Sequence, residues 1–259
     1  MKKRIFALIY CLLVSNAYCF TILVDPGHGG EDQGAQGYYI KSWKVGKKYK
    51  KKRVYVLEKD LTLKLAKKVH QLIAKKYTAY LTRSIDRTVH LSERANLADK
   101  IKADLFISIH FNSNRKKTSN GYEIYYLDNH KDVAVKKVET VENETVEGQD
   151  NIINQILIDL VIKKTVKTSK ELAKRIHQKV TPVTKKYRVR NRGVKPGLFY
   201  VLALSKRPGV LVEAGFISNP NELKKMMTGK YLDSMAKAIA DGVDAYAVKF
   251  KQEKSIPLF

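Results

Sequence analysis

At 259 residues and 44% hydrophobic composition, the chain is long enough to bury one substantial core, and nothing in its composition requires two domains. Its formal net charge of +25 favours polyanionic surroundings, which include nucleic acid, an anionic membrane face and an acidic cell-wall polymer, and does not choose among them. Its two cysteines, Cys11 and Cys19, lie close to the amino terminus and exclude a disulfide framework and a cysteine metal site.

The first 19 residues have the pattern of a secretory signal. A basic stretch, Met1–Arg4, is followed by an apolar run, Ile5–Val14, and by the small residues around Ala17. The apolar run is too short to span a membrane. We therefore predict a signal peptide over residues 1–19, cleaved after Ala17 or Cys19, and an exported chain without stable membrane insertion.

Three apolar, strand-like runs each end in a residue that binds metals or moves protons. His28 follows a run that stops at Pro26 and turns through glycines, His110 follows Leu-Phe-Ile-Ser-Ile, and Glu213 follows Val-Leu-Val. In open α/β sheets, ligands bind outside the carboxyl ends of the strands, so these three side chains are expected to converge. Any one of them alone is explained by a capped strand end, but three together indicate a site.

A basic insertion covers residues 38–56 and contains no acidic residue. Its cations are Lys41, Lys44, Lys47, Lys48, Lys50, Lys51, Lys52 and Arg53, and its interleaved aromatic residues are Tyr38, Tyr39, Trp43, Tyr49 and Tyr55. This composition is typical of a surface that binds polyanions or stacks on rings, and a solvated loop is the alternative. We predict a basic loop that is attracted to anionic polymers of the cell envelope.

Strand-like and helix-like segments alternate along the rest of the chain. A helix is predicted from Glu58-Lys59-Asp60 onward with Asp60 or Thr62 near its cap, another from the capping-box spacing at Thr168–Glu171, and a closing one over Tyr231–Val248. Leu198–Leu204 is predicted to be a strand. The rhythm predicts one α/β domain over residues 20–250, with a mostly parallel twisted sheet and helices on both faces, and a loose tail over 251–259.

Residues 128–168 interrupt this rhythm. The first half of the segment is acidic and contains Glu139, Glu142, Glu144, Glu147 and Asp150. The second half, Ile152–Leu160, has apolar residues at helical spacing. Such a segment requires a partner surface for its apolar face.

Two histidines and a carboxylate are a common ligand set for catalytic zinc, because they fill three tetrahedral positions and leave the fourth for water. Glu213 is then a free carboxylate beside that water and is suited to act as general base. Zinc polarises a scissile carbonyl while the base removes a proton. The residues thus indicate metal-assisted hydrolysis of an amide or ester.

Five ordered motifs, spanning residues 21–248, resemble the zinc-dependent N-acetylmuramoyl-L-alanine amidases. They are Val24-Asp25-Pro26-Gly27-His28-Gly29-Gly30, Glu58-Lys59-Asp60, Thr82-Arg83-Ser84-Ile85-Asp86, Ser108-Ile109-His110-Phe111-Asn112 and Val212-Glu213-Ala214-Gly215-Phe216-Ile217-Ser218-Asn219. The resemblance implies zinc held by His28, Glu58 and His110, with Glu213 as the catalytic carboxylate. Its substrate would be peptidoglycan, cut between N-acetylmuramic acid and L-alanine.

The resemblance further implies that Arg83, Asp86 and Arg94 support the site rather than react. Between His28 and Glu58 the chain is longer than is usual in the family, because the basic insertion lies there. Glu31 is the competing carboxylate, but it lies in the turn three residues from His28, whereas the helix-opening context belongs to Glu58.

Residues 128–168 resemble the regulatory insertion of the periplasmic cell-division amidases. In that subgroup a helix covers the zinc cleft until an activator with a degenerate peptidase domain displaces it. The resemblance makes Glu142 the candidate inhibitory ligand of zinc, with Glu144 as the runner-up, and makes Ile152–Leu160 a helix that either holds the segment down or docks on the activator. It implies a periplasmic enzyme of wall remodelling and daughter-cell separation, with no nucleic-acid partner.

The alternative from another class is a non-catalytic basic protein that binds cell wall or nucleic acid through residues 38–56. The complete set of ligand types favours the enzyme, because a binding protein has no need of Glu213.

Overall fold

A six-stranded sheet forms the centre of the computed structural model, which describes residues 20–143 and 151–255. The strands are β1 (Thr21–Pro26), β2 (Gln36–Val45), β3 (Lys48–Leu57), β4 (Thr78–Leu81), β5 (Leu105–Asn112), β6 (Tyr122–Leu127), β7 (Asn191–Gly197) and β8 (Gly209–Phe216). The helices are α1 (Glu58–Ile73), α2 (Leu91–Lys100), α3 (Val133–Glu142), α4 (Asn151–Lys186), α5 (Tyr200–Ser205), α6 (Pro220–Met226) and α7 (Lys230–Ser255). The predicted signal peptide, Glu144 and residues 256–259 lie outside the described residues.

The sheet order is β4-β1-β5-β8-β6-β7, and β2 pairs with β3 in a separate two-stranded sheet. Every neighbouring pair in the large sheet is parallel except β6 and β8, which are antiparallel. Alternate residues of the central strands enter two cores: Val24 and Ile107 pack on the side of α1, α4 and α7, whereas Leu23 and Phe106 pack on the side of α2 and α5. This confirms the predicted class, a single α/β domain with a mostly parallel sheet.

Helix α1 begins directly after β3, so Glu58 is its first residue. Its cap residue is Leu57, which makes no side-chain cap hydrogen bond; Asp60 lies in the first turn, near the cap as predicted. The Thr62 hydroxyl donates to the Gly27 carbonyl, 2.7 Å away, which ties the first turn of the helix to the His28 turn. Leu61, Leu65, Val69 and Ile73 are buried on one face, as their spacing predicts.

Helix α4 corrects a predicted boundary. The capping-box spacing at Thr168–Glu171 does not start a helix, because one continuous helix runs from Asn151 to Lys186. Ser169 lies buried inside it, and its hydroxyl accepts a hydrogen bond from the Gly209 backbone N–H, 3.1 Å away. Ser169 thus contacts a neighbouring strand instead of capping a helix, and the capping-box spacing alone does not distinguish these two roles.

Three further predictions require correction. The basic insertion is not a loop, since β2 and β3 pair through ten positions from Gln36↔Leu57 to Val45↔Lys48. The predicted strand at Leu198–Leu204 is mostly helix α5, and the strand of this region, β7, precedes it. The predicted tail is partly helical, because α7 continues to Ser255. In the part of the chain that the structure describes, no helix has both the length and the hydropathy that a membrane span requires.

Candidate active site

The His28 turn presents its imidazole with a backbone that few residues adopt. His28 has a φ of 59° and Gly29 a φ of 134°, so the chain passes through the left-handed region directly after β1. A Cβ at Gly27 would lie 2.3 Å from the His110 ring, so only glycine allows the second histidine to approach here. This conformation aims the two imidazoles at one point, with ring centroids 4.9 Å apart.

Two buried arginines hold the turn through its carbonyl groups. Arg83 donates to the carbonyls of Pro26 and Gly27, at 3.2 and 2.9 Å, and Arg94 donates to those of Pro26 and His28, at 2.9 and 3.1 Å. Buried carbonyls without partners are costly, so these contacts stabilise an otherwise unfavourable backbone. The supporting positions that were expected of Arg83 and Arg94 are observed.

Asp25 anchors this support from beneath the turn. Its carboxylate accepts hydrogen bonds from Thr82 at 2.6 Å and Ser108 at 2.8 Å, and it pairs with Arg94 at 2.5 Å. Burial raises the pKa of Asp25, but Arg94 and the hydroxyl donors outweigh it and hold the pKa below its ordinary value. Asp25 is therefore a charged, fully partnered group under the site.

Four side chains meet at the carboxyl edge of the sheet: His28, Glu58, His110 and Glu142. Glu58 Oε1 lies 3.1 Å from His28 Nε2 and 3.4 Å from His110 Nδ1. Glu142 Oε2 lies 2.7 Å from His110 Nδ1 and 3.6 Å from His28 Nε2. One ligand atom from each residue lies within 4.8 Å of all the others, so the group can hold a metal ion.

The donor set fits a metal better than it fits a hydrogen-bonded cluster. His28 Nε2, His110 Nδ1 and Glu142 Oε2 are buried and make no hydrogen bond of the usual geometry with any residue that the structure describes. Buried polar atoms normally have partners, and imidazole nitrogens with carboxylate oxygens are the donors that Zn²⁺ prefers. Glu31, the competing carboxylate, is exposed and does not belong to this group.

The ligand atoms are oriented by neighbours that the sequence analysis did not single out. The Asp32 carboxylate lies 2.9 Å from His28 Nδ1 and leaves Nε2 facing the cluster. Glu58 accepts hydrogen bonds from the backbone N–H groups of Ala35 and Phe111, both at 2.9 Å. A carboxylate behind a ligating histidine commonly fixes its tautomer and ring orientation. The spacing of four residues between His28 and Asp32 was the available signal.

The cluster's charges are strongly coupled. Burial lowers the pKa of both histidines, but Glu58 beside His28 and Glu142 beside His110 outweigh it and raise each pKa to about 10. Burial raises the pKa of Glu58, but His28 and His110 hold it well below its ordinary value. The carboxylates thus attract positive charge into this position, whether it is carried by protons or by a dication.

Glu213 lies beside the cluster on β8 and is fully buried. It is in register with His110 on β5 and with Glu123 on β6, and neither of its carboxylate oxygens makes a hydrogen bond. Burial, followed by the charges of Glu142, Glu58 and Glu123, raises its pKa well above the ordinary value. His110 and Glu213 lie inside their strands rather than after them, but the predicted convergence with His28 is observed.

Glu123 is a second buried acid that sequence reasoning missed. It pairs with Lys195 at 2.8 Å and Arg192 at 3.1 Å, and it accepts a hydrogen bond from the Tyr125 hydroxyl at 2.5 Å. Its signal was a charged residue within an otherwise apolar strand, opposite two cations on β7. Glu123, Arg192 and Lys195 line one side of the cleft.

Helix α3 lies across the cleft. A cavity of about 380 Å³ lies on the side of Arg192 and Lys195, and one of about 260 Å³ lies on the side of Asp32 and His90; Val141 and Glu142 line both. The end of α3 therefore separates the cleft into two parts, with the Glu142 carboxylate at the boundary.

Two side chains of the α3 region attach it to the segment between β7 and α5. Glu139 Oε1 accepts from the Leu198 N–H and contacts His130 Nε2, each at 2.5 Å. The Asn143 amide donates to the Leu198 carbonyl at 2.8 Å and accepts from the Tyr200 N–H at 2.9 Å. We call these contacts the α3 latch. His130 belongs to it through its contact with Glu139.

The apolar run before Leu160 is divided between core and solvent. Ile158 and Val161 pack against the second core, while Ile156, Leu157 and Leu160 are more than half exposed. The structure thus leaves three neighbouring apolar side chains on one helix without cover from the described residues.

Comparison with known proteins agrees with this geometry. Residues 22–245 match the family model for N-acetylmuramoyl-L-alanine amidase. The chain is 33% identical over 245 residues to N-acetylmuramoyl-L-alanine amidase AmiA of Escherichia coli, covering 91% of this chain and 78% of that protein. The solved structure of N-acetylmuramoyl-L-alanine amidase AmiC2 of Nostoc punctiforme matches with a TM-score of 0.64 at 27% identity, covering 88% of this chain and 97% of the other.

A further solved structure, the CwlD amidase of Clostridioides difficile in complex with the GerS lipoprotein, matches with a TM-score of 0.63 at 26% identity. It covers 89% of this chain and 99% of the other. Fold, site and relatives together define a peptidoglycan hydrolase. The chain belongs to the N-acetylmuramoyl-L-alanine amidase family.

Proposed function

We propose that this protein is a zinc-dependent hydrolase of the amide bond between N-acetylmuramic acid and L-alanine, with His28, Glu58 and His110 as the metal ligands. The observation that carries the proposal is the buried group of two imidazole nitrogens and two carboxylate oxygens within 4.8 Å of one another. Three neutral or anionic ligands of this kind are typical of catalytic zinc sites, which keep one further position open.

When bound, zinc supplies a Lewis acid that polarises the scissile carbonyl. Glu213 accepts the proton of the attacking water and then donates it to the departing L-alanine nitrogen, so the proton is conserved over the step. Its position suits this role, because it lies beside the ligand group and neither carboxylate oxygen is hydrogen-bonded to another described residue. Asp32 and the backbone donors to Glu58 keep the ligand atoms oriented.

The substrate class follows from the family, and the cellular role is proposed from the resemblance of residues 128–168 to the regulatory insertion of the periplasmic cell-division amidases. We propose that the protein acts on periplasmic peptidoglycan in wall remodelling and daughter-cell separation after export by residues 1–19. Its high positive charge is compatible with an anionic envelope.

Regulation is proposed to act through Glu142. In the arrangement described, its carboxylate is 2.7 Å from His110 Nδ1, which is where it would occupy the zinc position that water needs. We propose that α3 inhibits the enzyme until a protein activator with a degenerate peptidase domain displaces it. Ile156, Leu157 and Leu160 would offer this activator an apolar helix face.

The test of the activity is metal analysis combined with release of stem peptides from purified peptidoglycan, with and without EDTA. One zinc per chain is expected for the wild type, and EDTA-sensitive release is expected once α3 is removed or displaced. Glu213→Gln is expected to keep zinc and lose turnover by roughly 10² to 10⁴-fold, because only proton transfer is removed.

Two outcomes would contradict the proposal. Near wild-type hydrolysis by Glu213→Gln would exclude the assigned base. A protein that binds sacculi or nucleic acid tightly, but carries no zinc and releases no peptide after removal of α3, would be a binding protein instead.

A further inference from the structure

The β2–β3 hairpin is a long arm whose outer part is exposed to solvent on both strands. Every residue from Ile40 to Arg53 is exposed, and ten paired residues per strand give a length of about 33 Å. Its base is fixed, since Tyr39 and Val56 pack against the core, and Gly37 lies so close to the Ile217 carbonyl that a Cβ would not fit.

Charge on this arm has one sign only. The eight cations between Lys41 and Arg53 face no acidic residue on either strand, because none occurs between Asp32 and Glu58. Lys224 on α6 adds a ninth cation beside the arm, where it lines an open depression together with Lys51, Lys52 and Arg53. Such a field attracts an anionic partner and repels a cationic one.

Apolar side chains alternate with these cations on both faces. Directly opposed residues share a face, so Trp43 lies beside Lys50 and Val45 beside Lys48 on one face, while Tyr49 lies beside Lys44 on the other. Trp43 is 40% exposed, Val45 46% and Tyr49 70%. Near the turn, therefore, three apolar or aromatic groups are surrounded by lysines.

This combination distinguishes among anionic partners. An anionic polymer such as a nucleic acid or a polysaccharide can pair its phosphates or carboxylates with the lysines, and its bases or sugars can stack on the aromatic rings. Such a polymer offers no apolar region for exposed aliphatic groups such as Val45 and Ile40. A bilayer surface uses all three: headgroup phosphates attract the lysines, the interface accommodates Trp and Tyr, and the outer acyl region accommodates aliphatic groups. Lysine stems also extend along apolar surface while their ammonium groups stay in water.

We propose that the β2–β3 hairpin docks on a membrane surface rich in anionic phospholipids, with Trp43, Val45 and Tyr49 seated at the interface and the surrounding lysines on the headgroups. The binding is peripheral and does not depend on the amidase activity. The partner proposed here is therefore a lipid surface, whereas the sequence analysis predicted that residues 38–56 bind an anionic polymer.

The experiment measures sedimentation of the full chain with vesicles of phosphatidylglycerol and phosphatidylcholine, and with vesicles of phosphatidylcholine alone. Residues 1–19 are common to all variants, so only differences between variants are interpreted. Binding to the anionic vesicles is expected to weaken by at least about tenfold in a Lys47, Lys48, Lys50, Lys51→Gln variant, and to weaken at high salt. The matched control neutralises four exposed helix lysines instead (Lys64, Lys67, Lys174 and Lys179→Gln) and is expected to bind as the wild type does.

Trp43 supplies a second readout, because it is the single tryptophan of the chain. Its emission is expected to shift to shorter wavelength on anionic vesicles, and a Val45→Ser/Tyr49→Ser variant is expected to reduce both the shift and the binding. The proposal would be overturned if the hairpin and helix lysine variants sedimented equally with anionic vesicles. Binding without a shift of Trp43 emission would overturn it as well. Capture by sacculi or duplex DNA without vesicle binding would assign the arm to a polymer.

Discussion

The Glu58 carboxylate, which we propose as a metal ligand, is held in a fixed position. Its two oxygens accept from the backbone of Ala35 and Phe111, and one of them faces both histidines. The carboxylate is therefore positioned by main chain from two different elements rather than by flexible side chains. Substitution by Gln would replace one acceptor with a donor that faces a backbone N–H, so we expect loss of both metal affinity and local order.

Asp32 tests whether orientation of His28 matters to the metal. Asp32→Asn removes the negative partner of His28 Nδ1 while keeping the shape of the side chain. Metal affinity, measured by competition with a chromophoric chelator, is expected to fall about 10- to 100-fold. Glu31→Gln is the matched control, since the adjacent Glu31 is exposed and outside the cluster. Equal affinities for the wild type and Asp32→Asn would contradict a supporting role.

Asp25 predicts a pH dependence of stability. Its pKa is lower in the folded chain than the ordinary value of 3.8, so its stabilisation is fully present above that value and is lost as pH falls towards the folded-state pKa. The difference in free energy of unfolding between the wild type and Asp25→Asn, measured in EDTA by urea titration, is expected to be constant above about pH 5 and to narrow below about pH 4. The exposed Asp60→Asn variant is the control. A difference that does not change with pH would contradict the assignment.

At the scale of elements, α3 is the part of the domain whose position is set by a few polar contacts. Asp132 caps its start by accepting from Ala134 and Val135, and Val135 is its one residue that is fully buried. The α3 latch and the contact of Glu142 with His110 supply the other specific attachments. A helix with so small an apolar contact can be released at modest cost in free energy.

Removing the latch is expected to activate the enzyme. Glu139→Gln combined with Asn143→Ala removes the acceptor charge and both amide contacts, each hydrogen bond being worth about 1 kcal/mol. Hydrolysis without activator is expected to rise about tenfold or more, because a larger fraction of molecules has an open cleft. Thr140→Ala on the exposed side of α3 is the matched control. A folded double variant that hydrolyses no faster would contradict inhibition by α3.

The sequence predicts those helices and strands whose apolar residues recur at a regular spacing because they are buried in the core. Helix α1 and the central strands β1, β5 and β8 belong to this group, because local pattern and tertiary burial agree in them. Strand β7 could not be predicted: Gly193 and Pro196 lie in it, and its remaining residues include cations that pair with Glu123 on β6. Since β7 covers the outer edge of β6, β6 is an internal strand of the sheet.

For the site, strand ends could be read from sequence, whereas contacts between distant segments could not. His28, His110 and Glu213 follow or interrupt apolar runs, and that pattern is visible locally. Asp32, Glu123 and the latch residues acquire partners only when the chain folds, so their contacts depend on topology that no local pattern encodes. The role of Glu142 as an inhibitory ligand of zinc was expected from resemblance rather than from spacing. The structure shows its carboxylate 2.7 Å from His110 Nδ1, and the inhibitory role stays a prediction.

At the scale of the whole molecule, metal binding is expected to contribute to folding stability. A ligand that binds only the folded chain stabilises it by about 2.7 kcal/mol when its free concentration is a hundred times its Kd. Thermal unfolding followed by circular dichroism is therefore expected to show a higher Tm with zinc than with EDTA. His110→Ala should abolish this difference and Glu213→Gln should retain it; an unchanged difference in His110→Ala would place the metal elsewhere.

The pairing at the base of the hairpin has a consequence for how such a chain can diversify. Gln36 is the register partner of Leu57, so the inserted segment leaves and re-enters the domain at adjacent points. The 30 positions between His28 and Glu58 (58 − 28) are thus a distance along the chain and not a distance in space, since the two side chains lie 3.1 Å apart. Residues can be gained or lost in opposed pairs at the far end of such an excursion without moving the residue that follows it. An evolving lineage could acquire, lengthen or discard this arm while the hydrolytic machinery at its base stays under unchanged selection.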